Sequence, residues 1–371
     1  MLKRKLFWVT TLVLLTLALA PTFTTSSRAD NGPEHRVRNL NFGVSGGNVN
    51  DSTRRFCCSG TLGALLVDNT GVQYILGNNH VLGRSGQAVA GDDVSQPGLI
   101  DSNCQIATVV ADFTLAPPLE ASNVDAGIAQ LRPGQMDSSG SIEDIGVPSS
   151  ATVNPAVGMS VAKSGRTTGF TTGSISSVNT TVNVQYTASC GGGKKFTVNY
   201  TNQVIINSST FSAGGDSGSL IVTNNSAHNP VGLLYAGSSS ATIANPINQV
   251  LTQLSGALGR PLSFVGTGGG GFAEVFDTSS EVRPFLPEVA QMPELPEQAV
   301  EHASQVLERH RAELMSRPAI MGVGVGRSDA NDTEAAIIIY VDKTARGKGQ
   351  LPQNIDGLRV QVVETDPFVA F

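Results

Sequence analysis

The sequence predicts a mainly β fold, an antiparallel barrel or sandwich closed by a short helix, with a small α+β unit behind it. Three observations lead there. Residues 40 to about 265 alternate short apolar runs with turn signals, the pattern of antiparallel strands. Charged residues are only 15% and aromatics 5%, while 41 glycines supply turns, a balance that suits strands better than helices. Beyond residue 283 the charge content rises and a helical periodicity appears, which marks a second unit.

In chain order, residues 1–29 read as a leader. MLKRK is basic, LFWVTTLVLLTLALA is a mostly apolar stretch of 15, and SRA gives a small-x-small ending before Asp30. Fifteen residues fall short of the ~20 that a spanning helix needs. The expectation is an exported protein, secreted or periplasmic, free of the membrane once the leader is removed. His35 then lies in an N-terminal arm expected to be flexible. The runs TLGALLV, VQYIL, TTVNVQY, FTVNY, NQVII, LIV and VGLLYAG follow, separated by turns such as NTG, CGGG and NNS. After Asn245-Pro246, residues Ile247, Val250, Leu251 and Leu254 share one helical face.

GTGGGG (266–271) and PFLPEVAQMPELPE (284–297) read as linker. A helix from about 298 to 316 carries Val300, Ala303, Leu307 and Leu314 on one stripe and ends before Pro318. IMGVGVG, AAIIIYV and LRVQVV are strand-like. The expected units are therefore a leader (1–29), a main domain (30–265), a linker (266–297) and a small α+β domain (298–371). The helix stripe and AAIIIYV can cover one another, so the last unit is expected to fold separately.

The net charge of −6 argues against nucleic acid as the main partner. Export makes Cys57, Cys58, Cys104 and Cys190 disulfide candidates, with three connectivities open. Vicinal Cys57 and Cys58 are hard to join to each other, so both are expected to reach outward. If they do, Cys104 and Cys190 are their only partners. No CxxC pair exists and no His stands at ligand-like spacing, so no metal and no cofactor is expected.

SAGGDSGSL (212–220) holds a Ser between Asp and Gly, with two glycines before the Asp. It suits a tight turn whose N–H groups point inward beside an attacking oxygen, although the same composition also makes ordinary hairpin turns. A nucleophile at Ser217 needs a base and a group to orient that base. Of five histidines, His302 and His310 sit in the tail helix and His228 lies in the polar turn NNSAHNP. His80 follows VQYIL in GNNHVLG, so a strand delivers it to a rim. Asp125 in NVDAGIAQL enters an apolar strand, where a carboxylate is buried and fixed. The chain order is His80, Asp125, Ser217.

CSGTLGALL…NNHV, VDAGIAQL and GGDSGSLIV resemble the trypsin-like (chymotrypsin-fold) serine peptidases over residues 40–265. AKSGRTTGFTTGSI (162–175) is similar to a stretch of bacterial members such as the alpha-lytic-protease group. More narrowly, GVSGGN, CSGTLG, NNHVL and LLYAGSS are similar to bacterial relatives of the plant Narrow Leaf trypsin-like proteases. The resemblance implies two six-stranded antiparallel β-barrels with the site between them, and a protein or peptide as substrate. It implies a Ser217 nucleophile, a His80 base, an Asp125 orienting group and an oxyanion hole from the N–H groups of Gly215 and Ser217. It also implies that Lys163, with Arg166 as runner-up, neutralises Asp216.

Some positions depart from the digestive members. Val81, not Cys, follows His80, and Ser219 replaces the usual Gly. Phe211, Tyr235 and Gly237 stand where the family builds its primary pocket. With Phe211 where an Asp would pair a basic side chain, a small or medium apolar residue is expected before the cleaved bond. Tyr235 stands where many members carry a Ser that supports the catalytic Asp. Two other functions compete: a catalytically silent binding protein on the same fold, and a serine esterase, for which the GxSxG elbow is missing. The tail is expected to be severable near residue 265. The rivals are a tail docked on the cleft as an inhibitor and one that completes a homo-oligomer interface.

Overall fold

A computed structural model describes residues 35–268, 293–345 and 351–371. The leader expected at 1–29 and most of the expected linker lie outside the described residues. Within them the chain is mainly β, and two antiparallel barrels carry the cleft.

The first barrel holds β1 (Val44–Asn48), β2 (Gly60–Leu62), β3 (Ala64–Asp68), β4 (Gln73–Gly77), β5 (Asp93–Gln96), β6 (Thr108–Leu115) and β7 (Gly127–Leu131). Its sheet runs β3-β4-β7-β6-β5-β1-β2. Because β2 and β3 are two pieces of one strand broken at Gly63, the sheet closes on itself as six strands. The short helices α1 (Asn79–Leu82) and α2 (Leu119–Ser122) sit where the chain leaves β4 and enters β7.

The second barrel holds β8 (Ser160–Gly165), β9 (Gly169–Ser174), β10 (Ser177–Ser189), β11 (Gly192–Ile206), β12 (Leu220–Thr223), β13 (Pro230–Gly237) and β14 (Thr242–Pro246). β9 runs on through a two-residue bend into β10, whose Ser177 pairs with Ile205 of β11. β11 pairs with β14, β14 with β13, β13 with β12, β12 with β8 and β8 with β9, which closes a ring of six. The β10–β11 hairpin continues well past this ring toward the first barrel. The helix α3 (Ile247–Leu258) then buries Ile247, Val250 and Leu254 in the first barrel's core, and β15 (Leu262–Phe264) pairs with β3. Its apolar face thus ties one barrel to the other, at ~1.5–3 kcal/mol per buried side chain.

The tail consists of α4 (Glu297–Met315), β16 (Ile320–Arg327), β17 (Ala335–Asp342), β18 (Asn354–Ile355), β19 (Leu358–Thr365) and β20 (Val369–Ala370). β17 alternates between two cores. Ala335, Ile337, Ile339 and Val341 pack with α4 residues Ala303, Val306 and Leu307, while Ala336, Ile338 and Tyr340 pack with Val182, Val184 and Tyr186 of β10. β16 pairs antiparallel with β10, so the tail strands extend the second barrel's own sheet. The α4 core also takes in Val161, Val204 and Val231 of that barrel.

This corrects the expectation of a separately folded tail. The run AAIIIYV is apolar on both faces, and α4 can cover only one of them. The N-terminal arm needs the same kind of correction. His35 is fully buried, with its ring bonded to Gly43 O at 3.2 Å and to Asp144 at 3.1 Å.

The four cysteines form Cys57–Cys104 and Cys58–Cys190. Both vicinal cysteines reach outward, and the second bond fastens the tip of the β10–β11 hairpin to the first barrel. A chain cut at residue 265 is expected to aggregate or melt well below the full chain, because it bares the β10 edge and half of two cores. A soluble truncated protein with an unchanged melting temperature would show that the shared sheet is dispensable.

Candidate active site

The cleft forms where the rims of the two barrels meet. β4 hands the chain to α1, and His80 stands in that single turn. The two asparagines before it hold the turn in place: Asn78 Nδ2 donates to Asp125 O at 2.6 Å, and Asn79 Nδ2 to Pro117 O at 2.8 Å. Asp125 precedes β7 and is fully buried. Its Oδ1 accepts from the His80 backbone N–H at 3.1 Å and its Oδ2 from His80 Nδ1–H at 2.6 Å. The second barrel grips it as well, since Asp125 N–H donates to Asn245 Oδ1 at 2.9 Å.

A third bond to the carboxylate comes from Tyr186, whose hydroxyl donates to Asp125 Oδ2 at 2.9 Å and meets the Tyr200 hydroxyl at 2.8 Å. By the family resemblance, Tyr235 stands at the position from which many members support this carboxylate. The Tyr235 hydroxyl is buried and has no hydrogen-bond partner among the described residues, and its ring packs edge-on against Tyr200. The residue supplies its carbonyl instead, which accepts from Ser217 Oγ at 3.2 Å. Tyr186 was unreadable because only the length of the β10–β11 hairpin brings its hydroxyl to the other barrel.

Burial by itself would lower the His80 pKa, but the Asp125 charge and hydrogen bond, with the Phe371 main-chain oxygen beside them, raise it on balance above the usual histidine value. Burial, reinforced by the Asp125 charge, pushes the Tyr186 phenol well up, so it stays a hydrogen-bond donor.

Ser217 lies in a turn tightened by Asp216 N–H to Ala213 O and Ser219 N–H to Asp216 O, both 3.0 Å. Gly215 has φ +100, and a Cβ there would stand 2.5 Å from Thr167 Oγ1, so both conformation and space call for glycine. Neither the Gly215 nor the Ser217 N–H makes a hydrogen bond among the described residues. Both remain available to an incoming oxygen.

Asp216 is also fully buried. It accepts from the N–H groups of Thr167, Thr168 and Ala213 at 2.8, 3.1 and 2.9 Å and from Thr168 Oγ1 at 2.7 Å. Lys163 Nζ stands 3.8 Å away, also buried, bonded to Gly169 O at 2.8 Å and to Thr168 Oγ1. Burial brings the Lys163 pKa down to about 8, opposed by Asp216. Arg166, the runner-up, is engaged elsewhere in a two-point contact with Asp101 at 2.6 and 2.7 Å.

Phe211 is sealed in the second barrel's core, 5.9 Å from Lys163 Nζ to ring centre. Gly237 ends β13 at the cleft wall. His80 and Asp125 are thus brought together directly. Ser217 and His80 meet through a shared acceptor, the Phe371 main-chain oxygen, 2.9 Å from Ser217 Oγ and 2.9 Å from His80 Nε2. Beside them lies a cavity of about 160 Å³ lined in part by Cys58, Ser59, His80 and Arg84. A hydroxyl, an imidazole and a buried carboxylate in this order can move a proton off the hydroxyl and store it on the ring.

Residues 106–246 match the family described as the Nal1 C-terminal domain, a span under half of the chain that includes Asp125 and Ser217 but not His80. No curated protein matches. Among solved structures the chain is similar to a glutamic acid-specific serine protease that utilises a histidine triad in substrate binding, at 22% identity over 60% of this chain and 98% of that one, TM-score 0.42. It is similar to Thermobifida fusca protease A at 18% identity, 60% and 97% coverage and TM-score 0.40. It is also similar to the Cellulomonas bogoriensis chymotrypsin at 15% identity, 62% and 99% coverage and TM-score 0.40.

Three substitutions check this arrangement. Tyr186→Phe is expected to lose about 1.5–3 kcal/mol in urea unfolding, the range for a bond to a charged group, while Tyr235→Phe, which removes an unpaired hydroxyl, is neutral or stabilising. The reverse ranking would assign the supporting hydroxyl to Tyr235. Lys163→Met is expected to cost about 3 kcal/mol, the low end for breaking a buried pair, because four other donors still hold Asp216. An unchanged melting temperature would show that those donors suffice.

Proposed function

We propose that the protein is an exported serine endopeptidase that cleaves peptide bonds through an acyl-enzyme. The observation that carries this reading is the buried Asp125–His80 contact of 2.6 Å with Ser217 Oγ across one shared acceptor, beside a turn whose two N–H groups are unspent. Once Ser217 Oγ attacks a substrate carbonyl carbon, its proton passes to His80 Nε2. The Gly215 and Ser217 N–H groups bind the oxyanion, at a worth of ~3–4 kcal/mol per donor by analogy with other such sites. Collapse breaks the C–N bond, and His80 gives its proton to the leaving amine. Water then attacks the ester through the same base and releases Ser217.

Asp125 fixes the imidazole tautomer and stabilises its charged form. Lys163 and the turn donors hold the Asp216 carboxylate in place and keep the oxyanion turn in shape, a role that needs no newly freed N-terminus. The paired cysteines agree with an oxidising compartment, and among the described residues no helix is long and apolar enough to cross a membrane.

The rival reading, a binding protein without catalysis, draws on the chain's own Phe371 in the cleft. A fluorophosphonate probe separates the two, since covalent labelling at Ser217 that is lost in Ser217→Ala supports the enzyme and no labelling of the folded protein supports the binder.

Ser217→Ala and His80→Ala are each expected to lower turnover on casein or a chromogenic peptide by about four to six orders of magnitude with little loss of stability. Wild-type rates in either purified variant would sink the mechanism. His80 acts as a base only when neutral and its pKa is raised. The kcat/KM profile should therefore fall as pH drops, with a midpoint above the usual histidine value near 6.5. A flat profile from pH 5 to 8 would remove His80 from the base role.

A further inference from the structure

The final strand lies inside the cleft as a bound peptide would. β20 runs antiparallel to the edge of β13, with Ala370 opposite Ala236 and Val369 opposite Gly237, and its other edge meets β10 at Gln185. Phe371 N–H donates to Tyr235 O at 3.3 Å. The Phe371 ring occupies the space that glycine leaves at 237, where a Cβ would come within 2.4 Å of Cζ. The ring also packs on the apolar cluster that contains Phe211. Main-chain pairing to a strand edge, with a side chain in a pocket, is the strand-addition mode of peptide recognition.

The occupant is held in a form that is not processed. The Phe371 main-chain oxygen accepts from Ser217 Oγ and faces His80 Nε2, and does not meet the N–H groups of Gly215 and Ser217. Nδ1 faces Asp125 at 2.6 Å and Nε2 faces Phe371 O at 2.9 Å, so the edge of the ring that would take the Ser217 proton is already occupied. The segment is also well tethered. Phe368 is buried against Tyr340, its carbonyl accepts from Gln185 N–H at 3.0 Å, and Asp366 pairs with Lys343 at 2.9 Å.

We propose that Val369–Phe371 is an intramolecular competitor of substrate, seated as a peptide with an aromatic residue at the reacting position, and that it must withdraw before another chain can enter. The same seat takes a larger side chain before the cleaved bond than the small or medium one expected from Phe211. The consequence for hydrolysis rests on the peptidase reading, whereas the occupancy itself does not. A short tether gives a local concentration in the millimolar range, so a segment with an intrinsic Kd of about 0.1 mM slows entry about tenfold.

The test compares the full chain with a variant lacking Val369–Phe371, which keeps the buried Phe368, and with full-length Phe371→Asp, which keeps the chain length. Three quantities are measured: the rate of fluorophosphonate labelling of Ser217, hydrolysis of an aromatic chromogenic peptide, and calorimetric binding of acetyl-Val-Ala-Phe. Labelling and hydrolysis are expected to rise about tenfold in both variants. The tripeptide should bind the shortened protein and inhibit it competitively, and should not bind the full chain.

Removing the Phe371 main-chain oxygen in the shortened chain should also lower the pH midpoint of labelling, because that contact helps raise the His80 pKa. Equal labelling and hydrolysis in all three proteins, with no tripeptide binding to the shortened one, would overturn the proposal and leave the peptidase reading standing. Tripeptide binding to the shortened protein alone, with no labelling or hydrolysis in any of them, would instead uphold the occupant and reject the peptidase. If the shortened chain fails to fold, Phe371→Asp carries the comparison through labelling and tripeptide binding.

Discussion

A carboxylate with no access to water has to find its hydrogen bonds inside the protein, and Asp125 meets that demand at the seam between two barrels. An unpaired charge there would cost several kcal/mol. The first barrel supplies the backbone and ring N–H groups of His80. The second supplies the Tyr186 hydroxyl and, through Asn245, an acceptor for the aspartate's own N–H. Much else in the structure serves this meeting. The β10–β11 hairpin must be long enough to carry Tyr186 across, and its aromatic face is stiffened by Phe196 stacked 5.3 Å from Tyr186. Its tip is fastened to the first barrel by Cys58–Cys190.

Asp216 meets the same demand by other means. Three backbone N–H groups and the Thr168 hydroxyl fill its lone pairs, and Lys163 balances its charge without leading the hydrogen bonding. The two carboxylates therefore tolerate change differently. Asp125 depends on the relative placement of two barrels, whereas Asp216 depends on one strand and one turn that pair within the same barrel through β8 and β12.

Local pattern made much of this legible in the sequence. The strands show in short apolar runs, α3 in a helical stripe, and the candidate site in three short blocks, because each of those features is set by neighbours in the chain. Lys163 was readable through the block AKSGRTTG. What stayed hidden depends on distant partners. Tyr235 and Tyr186 are both buried tyrosines near the site, and only the reach of the hairpin decides whose hydroxyl meets Asp125. AAIIIYV reads as the core of an independent unit because the sequence does not show that its second face needs β10. His35 looks like part of a loose arm until Asp144, far along the chain, supplies its partner.

The pairing of β10 with β16 bears on the order in which the molecule can be made. β11 lies next to β10 in the chain, so that side of the hairpin can zip locally and early. The opposite edge of β10 waits for a strand that begins at Ile320. Until then the growing polypeptide carries an open row of N–H and C=O groups beside exposed valines, a template for pairing with the wrong neighbour. Such distant pairings also slow folding. In the finished molecule Cys58–Cys190 fastens the far end of that edge to the first barrel, so the strand that forms last joins an edge already held at its tip by the fold itself.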